Sequence, residues 1–224
     1  MKKTVIVFDA DGVLFPGGEL MKDEAWDRMV ATYPHPKHTL PTEWAAAVIV
    51  ARGEFGAGKG TGSRFDIIAL ALTETGLPST TADPLVYTWA EAYNAMVQLM
   101  ILELGTYSET REALETLTTL GHPLYVNTAT PTSAVIESLR ALQLEQFFTG
   151  VYGQPESKVQ NLQHIADREA VPVTELLFVG DGSGDIRAAT DVGCRFIGVT
   201  NGSNQWQSKP FPLIERLDEL IALI

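Results

Sequence analysis

The 224-residue sequence, 45% apolar and 20% charged, has the composition of an ordinary globular protein and enough length to bury a real hydrophobic core. Its net charge of −12, from 16 basic and 28 acidic residues, argues against nucleic acid or an anionic membrane surface as partner, and requires local cations, a metal among them, wherever an anionic substrate is to bind. The single cysteine, Cys194, excludes an internal disulfide, fits a reducing compartment and reads as a small buried filler.

After Met1-Lys2-Lys3, the run Thr4-Val5-Ile6-Val7-Phe8 predicts a strand buried on both faces. It is too short for a signal-peptide core, and no stretch approaches the ~18 apolar residues of a membrane span. A cytoplasmic protein is therefore expected. Asp9-Ala10-Asp11-Gly12 follows. Acids two apart on extended backbone share one side, and like charges that close require a cation between them or a retained proton.

Residues 19–103 predict helices only. Apolar positions Leu20, Trp26, Met29 and Val30 mark the first, over 19–33, which Tyr33-Pro34 ends. Thr42 opens a second, over 42–50, and Ser63 a third, over 64–75, stopped by Gly76. Asp83-Pro84 opens the longest, over 84–103.

From 106 onward helices and strands alternate. Thr106 and Glu109 have capping-box spacing for a helix over 107–120. A strand over 123–127, a helix from Thr130-Pro131 to about 142, a strand over 147–152 and a helix over 157–168 come next. A strand over 176–179, a short helix after Asp185, a strand over 195–199 and a terminal helix over 212–223 complete the series. Strands separated by helices imply right-handed crossovers and a parallel sheet. The expected fold is α/β, a doubly wound, Rossmann-like parallel-sheet core (1–18 and 104–224) carrying an inserted all-helical cap subdomain (19–103).

A second acidic pair lies at the end of the fourth strand, in Gly180-Asp181-Gly182-Ser183-Gly184-Asp185. Asp181 and Asp185 would point to the same sheet edge as Asp9 and Asp11, and four acids there suit a hard cation such as magnesium. Asp185 could instead merely cap the following helix, and Asp181 could be a turn residue. Thr128, just past a strand, and Lys158, opening a helix, are of types that bind phosphoryl oxygens. Singly, each is also read as an ordinary turn threonine or solvated lysine.

In order along the chain, Asp-x-Asp-Gly, a hydroxyl after the next core strand, a helix-opening lysine and Gly-Asp-x-x-x-Asp resemble the four motifs of the haloacid dehalogenase superfamily. The resemblance is to its phosphatase branch with a helical cap, which includes phosphoglycolate phosphatases and β-phosphoglucomutases. It implies that Asp9 is a nucleophile forming an aspartyl-phosphate and that Asp11 is the general acid and base. Thr128 and Lys158 would hold the phosphoryl group. Asp9, Asp181, Asp185 and the main-chain carbonyl of Asp11 would bind Mg2+, and the substrate would be a small phosphorylated metabolite. Where many relatives have asparagine, threonine and proline, this chain has Ala129, Val13 and Val159.

Gly53-Glu54-Phe55-Gly56-Ala57-Gly58-Lys59 matches a phosphate-cradling loop, but Gly60 stands where that motif needs Ser or Thr. A cap loop is the alternative, and the family resemblance makes Arg52, Lys59 and Arg64 candidate contacts to the substrate's far end. The same superfamily also admits a mutase, or a phosphonate hydrolase using a cap lysine as an imine-forming group. A nucleotide-binding protein or a noncatalytic module of the same fold are the readings from other classes. Replacing Lys59 with arginine separates the hydrolases: phosphonate cleavage should vanish, whereas ester hydrolysis should partly survive, as measured by phosphate release from each substrate type.

Overall fold

A computed structural model of the chain describes residues 3–16, 18–55, 63–201, 204 and 206–224. They divide into two compact units, Met1–Leu20 with Ile101–Ile224, and Met21–Met100.

The first unit is built on six parallel strands: β1 (Val5–Phe8), β2 (Leu124–Pro131), β3 (Gly150–Gln154), β4 (Leu176–Gly180), β5 (Arg195–Val199) and β6 (Leu213–Ile214). Their order is β3-β2-β1-β4-β5-β6. The chain thus winds outward from β1 in one direction, returns beside β1, and winds outward in the other. β1 and β4 flank the reversal, the place where open parallel sheets leave a crevice at the strand C-termini. Every residue of both strands is buried, as expected of a parallel sheet covered on both faces.

The helices of this unit are α5 (Thr110–Thr119), α6 (Thr132–Ala141), α7 (Lys158–Glu169) and α8 (Ser183–Val192). On one face of the sheet Leu162, Ile165 and Ala166 of α7 and Ala188 and Ala189 of α8 pack against Val5, Val7, Tyr125, Leu176 and Phe178. Cys194 packs against this cluster, and burial pushes its thiol up to about 11, which fits a filler and not a nucleophile. α7 starts where it does because Ser157 and Gln160 form a capping box, so Lys158 is fixed at its first turn.

The second unit is helical. The remaining helices are α1 (Gly18–Thr32), α2 (Pro41–Phe55), α3 (Arg64–Glu74) and α4 (Pro84–Leu104), and the division between units falls inside α1 and α4. Trp26 stacks on Tyr93 with ring centroids 4.1 Å apart, and the Asp83 side chain accepts the Leu85 N–H at 2.8 Å, the cap expected at that helix start. Gly53 to Phe55 are the last residues of α2. A phosphate-cradling loop runs from a strand into a helix, so a motif whose first glycine closes a helix does not have that architecture. Lys59 and the other residues from 56 to 62 lie outside the described residues. Among the described residues no helix is long and apolar enough to cross a membrane.

Several local expectations are corrected. The terminal helix over 212–223 is instead β6 followed by a 3-10 turn, Leu217–Ala222. Gly198 and Thr200 donate their N–H groups to the carbonyls of Pro212 and Ile214 at 2.9 and 2.7 Å, so pairing to the open edge of β5 overrides the helical periodicity. The box over Thr106 and Glu109 does not form. Gly105, at φ +73°, ends α4, and α5 starts only at Thr110, with Glu109 as a cap whose side chain makes no capping bond. The strand expected from 147 begins only at Gly150, and Phe147 instead closes a 3-10 turn, Glu145–Phe147. β2 runs on to Pro131, shifting register after Asn127, so α6 opens at Thr132. α8 opens at Ser183, before Asp185 and not after it.

Leu162, fully buried in the cluster beneath Lys158's helix, should cost about 2–5 kcal/mol when replaced by alanine. Urea denaturation followed by far-ultraviolet circular dichroism measures that loss.

Candidate active site

Asp9 leaves β1 with its N–H bonded to the Val179 carbonyl of β4 at 2.8 Å, so its position is set by both central strands. The Ala10 N–H bonds to Asp9 Oδ1 at 2.8 Å. Gly12 then turns the chain at φ +79°, and a Cβ there would lie 2.1 Å from Asp181 Oδ2. No larger residue fits without displacing that carboxylate, which gives the glycine of Asp-x-Asp-Gly a steric cause beside its conformational one.

Carboxylate oxygens of Asp9, Asp181 and Asp185 lie within 4.8 Å of one another. Lys158 reaches into this group from α7, with Nζ 3.0 Å from Asp9 Oδ1 and 2.5 Å from Asp185 Oδ1. Its side chain is only 15% exposed, which excludes the solvated-lysine reading. Burial alone would lower Lys158, but Asp185 and Asp9 outweigh it and hold the ammonium above the usual lysine range. Burial pushes the Asp9 carboxyl up to about 7, with Asp185, Asp181 and Asp11 adding to the rise and Lys158 opposing it. The ammonium is therefore insufficient by itself to keep Asp9 ionised with its neighbours. Three clustered carboxylates, all hard oxygen donors, fit a divalent cation such as Mg2+.

Asp185 has two tasks. Its Oδ2 accepts the Gly182 N–H at 2.9 Å as α8 begins, while Oδ1 takes Lys158. The capping reading holds, and the same carboxylate also joins the acidic cluster. Asp11 is buried but stands outside the three-carboxylate group, and its Oδ2 accepts a hydrogen bond from the Thr130 hydroxyl at 3.2 Å.

Thr128 lies inside β2, not past its end, is buried, and accepts the Thr130 N–H on its hydroxyl at 3.2 Å. Arg52 is tied to Asp27 at 3.0 Å and to Asp23 at 2.5 Å. Arg64 donates to Asn94 Oδ1 at 2.7 Å and lies over the Phe65 ring. Both belong to the helical unit.

Five polar side chains about the site escape a motif search. Thr130 is one. Asn127, fully buried, donates to the Lys158 carbonyl at 2.9 Å and accepts from Asn161 at 3.0 Å, a chain that fixes the start of α7. Asn201 donates to the Gly12 carbonyl at 3.0 Å and to Asp181 Oδ2 at 2.7 Å. Asn204 donates to the carbonyls of Asp181 and Val199 at 3.1 and 2.6 Å. The signal for the last two was the polar turn Thr200-Asn201 directly after a predicted parallel strand, hence on the site's own edge of the sheet.

Residues 3–193 match the haloacid dehalogenase-like hydrolases. The chain belongs to this family. Within it, the phosphoglycolate phosphatase of Pectobacterium atrosepticum is 31% identical over 127 residues, covering 53% of this chain and 54% of that protein. The chain thus spans about half the length of the curated relatives it matches. Among solved structures, haloacid dehalogenase-like family protein SP0104 from Streptococcus pneumoniae superposes with a TM-score of 0.68 at 19% identity, over 99% of this chain and 98% of that one. The haloacid dehalogenase-type hydrolase YfnB from Bacillus subtilis, solved bound to magnesium, gives 0.66 at 15% identity over 99% of both chains. These two likenesses establish the shared fold.

The raised Asp9 fixes a sign. Folded protein holds this proton up to about 7 against an ordinary value of 3.8, so without a divalent cation its ionisation lowers stability as pH rises from about 4 to about 7. Asp9→Asn lacks that loss. Thermal melts in EDTA should show the variant gaining on wild type through this window and levelling above it, by on the order of a few kcal/mol. Parallel curves would exclude the shift.

Proposed function

We propose that the chain is a Mg2+-dependent phosphohydrolase that cleaves a small phosphorylated metabolite through an aspartyl-phosphate on Asp9. The observation that carries this reading is the meeting of Asp9, Asp181 and Asp185 with the buried ammonium of Lys158 at the β1/β4 reversal. Asp9, Asp181, Asp185 and the main-chain carbonyl of Asp11 would hold magnesium, which when bound supplies neutralisation for the acids and for the phosphoryl oxygens.

The chain's own groups then divide the work. The Asp9 carboxylate attacks phosphorus as the ester oxygen leaves, and the Asp11 carboxyl gives that oxygen its proton. Asp11, now ionised, takes a proton from water as the water oxygen attacks phosphorus and the bond to Asp9 breaks. Such a relay needs two acids in different surroundings. The separation of Asp11 from the three-carboxylate group, with the Thr130 hydroxyl orienting it, supports that division. Thr128 and Lys158 bind the phosphoryl oxygens, so that positioning and charge neutralisation provide the catalysis. Arg52 and Arg64, at the ends of α2 and α3 on either side of residues 56–62, are assigned to the substrate's far end.

The phosphoglycolate phosphatases among the relatives make 2-phosphoglycolate the first ester to assay, beside a generic aryl phosphate. Phosphate release should require Mg2+, stop with EDTA and fall at least about 1,000-fold in Asp9→Asn. Equal inactivity of wild type and variant across a broad panel of phosphate esters would overturn the enzymatic reading.

A further inference from the structure

Each acid of the cluster already gives oxygens to protein donors, and the donors differ in origin. Asp9 Oδ1 takes Lys158 and the Ala10 N–H. Asp185 takes Lys158 and the Gly182 N–H. Asp181 is held from outside these motif segments, by Asn201 on the turn that follows β5.

The orientation of the Asn201 amide follows from its partners. Nδ2 faces two acceptors, the Gly12 carbonyl and Asp181 Oδ2, at 3.0 and 2.7 Å, so it must be the nitrogen. Asn201 Oδ1 accepts the Asn204 N–H at 3.3 Å. Asn204 reciprocates, its Oδ1 accepting the N–H groups of Asn201 and Trp206 at 3.4 and 3.3 Å while its Nδ2 holds the Asp181 and Val199 carbonyls. The two asparagines thus grip Asp181 by side chain and main chain together. On its other side the Asp181 carboxylate lies against the bare Gly12 Cα, where even a Cβ would come within 2.1 Å of Oδ2. Little room is left for the carboxylate to swing.

A carboxylate held this way presents a cation with one oxygen in a set direction. Mg2+ takes single oxygens in strict octahedral geometry, whereas Ca2+ prefers six to eight oxygens and often both from one carboxylate. Hydrogen bonds from outside the ligand set commonly decide how a ligand is presented. We propose that Asn201 is a positioning residue for cation choice: by engaging Asp181 Oδ2 it keeps this acid a single-oxygen ligand and favours Mg2+ over Ca2+. The inference rests on reading the three acids as a divalent-cation site.

Calorimetric titration of EDTA-stripped full-length protein with Mg2+ and, separately, with Ca2+ tests it. Asn201→Ala should weaken Mg2+ binding at least about tenfold and Ca2+ binding by less than about threefold, so that the preference for Mg2+ shrinks. Asn201→Leu fills the volume without the donor and should behave alike, which keeps the test readable if the alanine variant does not fold. Melting in EDTA establishes that each titrated variant is folded. An unchanged Mg2+/Ca2+ preference, whether both affinities fall together or neither does, would overturn the proposal and leave the cation site standing. A wild-type protein that bound neither cation would overturn the cation site itself, and this inference with it.

Discussion

Three carboxylates held together at the edge of a buried sheet repel one another, and most of what is ordered about this site answers that repulsion. Lys158 provides one charge from within, bridging Asp9 and Asp185. It does not suffice, since burial and the other acids still push the Asp9 carboxyl up to about 7. The remaining deficit fits the proposed role of the site, in which a hard cation would offset the acids and help to hold a phosphoryl group. An acidic protein of net charge −12 can attract an anionic ester only where such a local reversal exists.

Holding that cluster is the task of the fold. β1 and β4 deliver Asp9 and Asp181 because the strand order reverses between them. The apolar contacts of α7 and α8 with the sheet bring Lys158 and Asp185 over the same edge, and the buried Asn127–Asn161 pair fixes where α7 begins. A buried charge whose helix could slide by a turn would lose its partners and keep its desolvation cost. Polar bonds at the start of that helix therefore matter as much as its apolar face. Asp11 lies outside the three-carboxylate group and has a hydroxyl partner in Thr130, so the two neighbouring aspartates have different surroundings.

Much of this was legible in the residues. The helix starts at Ser63 and Asp83 follow from capping chemistry, which depends on neighbours three or four residues away. The parallel sheet follows from strands alternating with helices. The four acids and Lys158 stood out because their types recur at strand ends and helix starts in a fixed order. The errors share one cause. The segment 212–223 has helical periodicity, but its first residues complete the edge of β5. The spacing of Thr106 and Glu109 satisfies a capping box, yet the chain must first turn at Gly105.

By itself, then, the sequence determined the inventory and its order: which residues can bear charge, which segments are apolar with which period, and where turns must fall. These depend on interactions within a few residues. Tertiary structure alone decided that Gly12, Asp181 and Asn201 meet, that Asp185 serves both a helix cap and an ammonium, and that Asp11 lies outside the group formed by Asp9, Asp181 and Asp185. Those relations join positions up to 189 residues apart in the chain. They exist only because parallel strands in the order β3-β2-β1-β4-β5-β6 bring their C-terminal ends to one edge, and no local periodicity encodes which ends will be neighbours.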